Sequence, residues 1–112
     1  MKKIEAIIRP EKLEDVRKVL EKHGYPGIMI TEIEGHGKQK GIVQQWRGER
    51  YKIDLLPKVK LEIVTSDKDA DKIIQAITST AKTGAVGDGK IFVYNVDEAV
   101  RIRTGEKGDA AL

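Results

Sequence analysis

Lys3-Ile4-Glu5-Ala6-Ile7-Ile8 and Lys60-Leu61-Glu62-Ile63-Val64 share one pattern: alternating charged and β-forming apolar residues, each run followed by a helical segment and a glycine. Alternation of this kind places most of the apolar side chains on one face of a strand. After the first run, Pro10 ends the strand and opens a helix over about Glu11 to Lys22, with Leu13, Val16 and Leu20 on one side and Gly24 at its end. After the second, Asp67 and Asp69 suit a helix N-terminus, Ala70, Ile73, Ile74, Ile77 and Ala81 form the stripe, and Gly84 stops it. Ile28 to Glu34 and Lys90 to Val96 complete two βαβ halves. Interleaved in one antiparallel sheet, the halves predict an α+β, ferredoxin-like βαββαβ sandwich in a single domain, 1–112. Both helices then cover one face of the sheet, and apolar side chains on the other face point to an oligomer.

Composition narrows the function classes. The 112 residues are 39% hydrophobic and 35% charged, with a net charge of +3 and no cysteine. That excludes disulfides and thiolate chemistry and fits a reducing compartment. Without an apolar run of the roughly 20 residues needed to span a bilayer, and with no signal-peptide pattern at Met1 to Glu11, the expectation is a cytoplasmic protein. His23 and His36 lie far apart with no zinc spacing. No nucleophile–base pair stands out, so an enzyme is not expected. Lys and Arg are interspersed with Asp and Glu; Phe92 and Tyr94 are the only candidate stacking aromatics, both on the fourth predicted strand with none on the first, which argues against nucleic acid as a partner.

Three regions fall outside the core pattern. Residues 37–57 show no apolar periodicity and read as a long partner-probing loop with Trp46 and Tyr51 beside arginines. The glycine turns Gly35-His36-Gly37-Lys38-Gln39 and Gly87-Asp88-Gly89-Lys90 are either ordinary turns or a cradle of N–H groups and lysines for phosphate. Arg101 and Arg103, if the tail 101–112 is extended, point the same way and suit a polyphosphate; otherwise they belong to a solvated basic tail. Lys58, after Pro57, is either a solvated edge lysine or a fixed cation for a small dicarboxylate.

These segments together resemble the P-II nitrogen-signalling family. The most specific part is Thr83-Gly84-Ala85-Val86-Gly87-Asp88-Gly89-Lys90-Ile91-Phe92-Val93, similar to the family's C-terminal signature. Met1 to Pro10, Gly35 to Gly41, Leu56 to Lys60 and Arg101 to Glu106 add four further matches in order. The resemblance implies a homotrimer that binds ATP or ADP in inter-subunit clefts, and 2-oxoglutarate together with Mg²⁺-ATP. It implies a regulator of an ammonium transporter or a nitrogen-metabolism enzyme, acting through the long loop and meeting a membrane only through that transporter.

Residue by residue, the resemblance assigns Ile7, Gly35 and Val64 to the adenine pocket, Gly37, Lys38 and Gln39 to the phosphate and metal edge, and 83–90 to a nucleotide-binding turn in which Gly87, Asp88, Gly89 and Lys90 meet phosphate and ribose. Arg101 and Arg103 come from the neighbouring subunit. Gln39, Lys40, Gly41 and Lys58 correspond to 2-oxoglutarate contacts. Met29 stands where the family often has threonine near adenine, and Lys38 where it has arginine, keeping charge without the guanidinium fork. Tyr51 occupies the position that enteric-type members uridylylate, but Trp46-Arg47-Gly48-Glu49-Arg50-Tyr51 differs from the usual loop, and Glu49 replaces the serine phosphorylated in cyanobacterial members. Arg47 resembles the loop arginine that enters transporter pores. The competing reading is a small phosphotransferase or acyl-phosphatase-like enzyme, because this fold hosts both.

Overall fold

The computed structural model describes the backbone of residues 1–25, 27–36, 42–46, 49–53 and 55–112, and the side chains of 1–25, 27–33 and 57–112. Its elements are β1 (Lys2–Ile8), α1 (Leu13–Lys22), β2 (Met29–His36), β3 (Ile42–Trp46), β4 (Glu49–Ile53), β5 (Leu55–Thr65), α2 (Asp67–Ala81) and β6 (Lys90–Asn95). Short 3-10 turns cover Pro10–Lys12 and Gly108–Ala111. The main sheet is antiparallel in the order β2-β5-β1-β6, so the two βαβ halves interleave as the repeat predicts.

Burial follows the alternation. Ile4, Ala6 and Ile8 of β1 and Val59, Leu61 and Ile63 of β5 pack against Val16 and Leu20 of α1 and Ala70, Ile73, Ile77 and Ala81 of α2. Removing these side chains from water is the main source of stability, at roughly 25 cal/mol per Å² of apolar surface. Helix α1 closes at Gly24, whose φ of 86° lets the Tyr25 N–H reach back to the Leu20 carbonyl at 2.9 Å.

The opposite face carries the alternate residues. Across it, Lys3 pairs with Glu62 at 3.0 Å, Lys60 meets Glu62 at 3.4 Å, and the Lys3 ammonium lies 5.4 Å from the centre of the Tyr94 ring. Tyr94 and Phe92 stand opposite Lys3 and Glu5 in the register. Both are about half exposed, as is Met29 on β2.

Boundaries shift where tertiary pairing overrides local signals. Helix α1 begins at Leu13 rather than Glu11, because the chain leaves Pro10 as a 3-10 turn in which the Lys12 N–H meets the Arg9 carbonyl at 3.0 Å. Strand β2 runs on through Gly35 and His36, past the Ile28 to Glu34 run read from the sequence; Gly35 and His36 pair with Leu56 and Leu55. Strand β5 accordingly starts well before Val59. It tolerates Pro57 because β1 pairing stops at Val59, leaving β5 a single neighbour there.

The larger correction concerns 37–57, expected to lack structure of its own. It contains the antiparallel pair β3–β4, with Gln44 opposite Tyr51 and Trp46 opposite Glu49. This pair forms a two-stranded sheet of its own, separate from the four-stranded one. The expected roles of Gly37, Lys38, Gln39, Lys40, Gly41 and Arg47 lie outside the described residues. Among the described residues no helix is long and apolar enough to cross a membrane.

Candidate functional site

The turn joining α2 to β6 is held by charged side chains from the residue just after β1 and from β5. The Asp88 carboxylate accepts hydrogen bonds from the Thr83 N–H at 2.9 Å, the Gly84 N–H at 2.9 Å and Arg9 Nε at 3.1 Å, and also from the Thr83 hydroxyl. Arg9 extends a second nitrogen, Nη2, to the Val86 carbonyl at 2.8 Å. Lys58 Nζ donates to the Gly87 carbonyl at 2.7 Å. Gly89, at φ 101°, lies so close to β1 that a Cβ there would fall 1.7 Å from the Ile7 carbonyl oxygen.

This scaffold has a consequence for the backbone. In a planar trans peptide the carbonyl and the following N–H point in opposite directions. With the Val86 and Gly87 carbonyls drawn toward Arg9 and Lys58, the N–H groups of Gly87 and Asp88 are turned away from those cations. Consecutive N–H groups presented in this way suit an anion. Asp88 is therefore an internal brace of the turn, its oxygens occupied by neighbouring donors.

Electrostatics agrees with the geometry. The Thr83 hydroxyl, followed by the Thr83 and Gly84 N–H groups and Arg9, holds the Asp88 carboxyl well below the usual carboxylate range, against a smaller desolvation effect. Desolvation, then the charge of Arg9, lowers the Lys58 pKa; Glu11 and Asp88 oppose this. Because the folded-state pKa of Asp88 lies below the ordinary value near ~3.9, its contribution to stability is present above that value and is lost as pH falls toward the folded pKa. The expected result is that the melting-temperature gap between the wild type and Asp88→Asn is constant from neutral pH to about pH 5 and narrows below about pH 4. Thermal melts of both proteins over pH 3–7 check this, and other titrating carboxylates cancel in the difference.

The expected site residues fall into two groups within one chain. Ile7, Lys58 and Gly87 to Lys90 come together, with Lys90 opposite Ile7 in the β1–β6 register. Val64 stands opposite Lys3, whereas Ile7 stands opposite Lys60; the four-residue offset along β5 is about 13 Å. Met29, opposite Glu62, lies toward the Val64 end, and Gly35, opposite Leu56, lies toward the Lys58 end. Thus Ile7, Gly35 and Val64 do not meet in a single chain.

The tail departs from the extended form considered above: it turns at residues 102–104. Val100 bridges to Lys107, the Arg101 N–H reaches the Glu106 carbonyl at 2.8 Å, and Arg101 Nη1 meets Glu106 Oε1 at 2.9 Å. Arg101 also donates to the Leu112 carbonyl at 3.1 Å. Strand alternation therefore does not align Arg101 with Arg103. The sequence reading gave no individual role to Arg9, and counted Thr83 only as the first residue of the 83–90 turn; Arg9's only signal was position, at the exit of a strand before proline.

A turn braced in this way closes the stretch that carries the resemblance, and the family model described as nitrogen regulatory protein P-II matches residues 1–106. This chain belongs to the P-II family. Over its full length it is 55% identical to nitrogen regulatory protein P-II 2 of Methanothermobacter thermautotrophicus, covering 97% of that protein. It is 54% identical to nitrogen regulatory protein P-II of Pasteurella multocida and 53% identical to nitrogen regulatory protein P-II 1 of Escherichia coli, covering the whole of each. These P-II relatives carry the names of regulators.

Proposed function

We propose that this P-II protein is a homotrimeric sensor that binds ATP or ADP between subunits, responds to 2-oxoglutarate in the presence of Mg²⁺-ATP, and regulates an ammonium transporter or a nitrogen-assimilation enzyme through residues 37–57. The carrying observation is the braced turn, which directs the Gly87 and Asp88 N–H groups away from Arg9 and Lys58 and offers them to an anion. The separation of Ile7 from Val64 supports a site completed by a second chain. The half-exposed Met29, Phe92 and Tyr94 on the uncovered sheet face support the same assembly.

In that assembly Arg101 and Arg103 of the neighbouring chain supply guanidinium groups for phosphate oxygens. Mg²⁺ takes oxygen ligands and keeps phosphate in its shell; Gln39 together with nucleotide and keto-acid oxygens is the donor set in this reading. Lys58 provides the fixed charge for a carboxylate of 2-oxoglutarate, and Lys40 and Gly41 add backbone contacts. Trp46 and Arg47 face the target, and Tyr51 is the position for covalent modification. The cytoplasm is the setting this reading requires.

Calorimetric titration of the intact protein with Mg²⁺-ATP, and then with 2-oxoglutarate with and without that nucleotide, tests the reading. The expected result is a 2-oxoglutarate signal only when Mg²⁺-ATP is present, from particles of three chains by sedimentation. Absence of ATP binding overturns the sensor reading, and rapid phosphate release would favour the phosphotransferase alternative.

A further inference from the structure

We propose that Arg9 and Thr83 act through Asp88 as positioning residues that set the phosphate-presenting turn, so that they tune affinity for the phosphates of a nucleotide without touching it. The proposal rests on the nucleotide-binding reading above and gives two side chains a role that reading does not name for them.

The geometry is that of a clamp. One arm of the turn, at Thr83 and Gly84, reaches Asp88 through two N–H groups at 2.9 Å each and through the Thr83 hydroxyl. That hydroxyl also accepts the Ala85 N–H at 3.1 Å, fixing its orientation. The other tie comes from the exit of β1: Arg9, the residue after the strand, spans the turn, with Nε on Asp88 at 3.1 Å and Nη2 on the Val86 carbonyl at 2.8 Å. Two residues earlier on β1, the Ile7 carbonyl abuts Gly89. The Arg9 side chain is only 16% exposed, so the ion pair is partly shielded from water and stronger than a surface pair.

The Val86 carbonyl is the part that matters for an anion. Arg9 fixes its direction, and the same peptide plane fixes the Gly87 N–H in the opposite direction. Without Arg9 that peptide is free to rotate, because Gly87, at φ 100°, imposes little steric restraint. The loss then falls on phosphate recognition, while apolar contacts to a base are unaffected. A lysine in place of Arg9 cannot hold two acceptors in the same fork geometry.

The test compares ATP with adenosine by calorimetry on the intact protein, for wild type, Arg9→Gln, Arg9→Lys, Thr83→Val and Thr83→Ser. Arg9→Gln is expected to weaken ATP roughly tenfold while adenosine changes by less than about twofold. Arg9→Lys should behave similarly, Thr83→Val should weaken ATP severalfold, and Thr83→Ser should restore wild-type affinity because it keeps the hydroxyl. An unchanged ATP-to-adenosine affinity ratio in a folded Arg9→Gln overturns the clamp, and so does a parallel loss of both ligands. Should Arg9→Gln not fold, equal ATP affinities of Thr83→Val and Thr83→Ser overturn it. If the wild type binds no ATP, the nucleotide reading fails and takes the clamp with it; if the wild type binds and only the variants disagree, the clamp alone fails.

Discussion

Gly89→Ala is expected to destabilise the protein by roughly 3–5 kcal/mol. An alanine Cβ would sit 1.7 Å from the Ile7 carbonyl oxygen and 2.8 Å from its carbonyl carbon, both backbone atoms of a central strand. These atoms cannot move aside as the end of a flexible side chain can. Relief requires the start of β6 to move away from β1, where Lys90 opposes Ile7. The φ of 101° adds strain for any residue with a Cβ. For a domain of this size the melting temperature should fall by roughly 10–25 °C. Gly84→Ala is the control: it also has positive φ, at 88°, but nothing lies within 4 Å of its Cβ position. Its cost should be limited to backbone strain, roughly 1–2 kcal/mol. Thermal melts of the two variants check this, and equal losses would show that the contact with Ile7 contributes nothing.

Lys58→Ala is expected to abolish detectable 2-oxoglutarate binding and, in addition, to weaken ATP severalfold. The first effect follows from removing the cation assigned to the dicarboxylate; an ionic hydrogen bond contributes about 1.5–3 kcal/mol, or more than tenfold in affinity. The second follows from the 2.7 Å contact between Lys58 Nζ and the Gly87 carbonyl. In the proposed reading the lysine assigned to the keto acid also holds the turn assigned to phosphate, so the two proposed sites share a side chain. Calorimetry with each ligand separates the effects. ATP binding identical to wild type would remove Lys58 from the support of the turn, and retained 2-oxoglutarate binding would remove it from the second site.

The two predictions concern a turn whose sequence was conspicuous but whose construction was not. Gly87, Asp88, Gly89 and Lys90 stood out as a glycine turn beside a lysine. The residues that hold it, Arg9, Lys58 and Thr83, arrive from three different parts of the chain. Asp88 illustrates the difference: the resemblance implied a place at phosphate and ribose, and the fold adds that its carboxylate is an internal acceptor for the turn.

Much of the fold was fixed by local physics. The period-two pattern of β1 and β5 and the period-three-to-four stripes of α1 and α2 identify the core residues correctly, because each element must bury one face and the pattern records which. The interleaving of two βαβ halves followed from the repeat and from the short list of ways such halves pair. Only the tertiary structure decided what depended on distant partners. β2 passes through Gly35 and β5 through Pro57 because each pairs with the other there. Ile42–Trp46 and Glu49–Ile53 pair with each other, a pairing the sequence pattern did not announce. Arg9 braces Asp88 across 79 positions of sequence, a contact that no local pattern encodes, because only folding brings the end of the first strand beside the turn before the last.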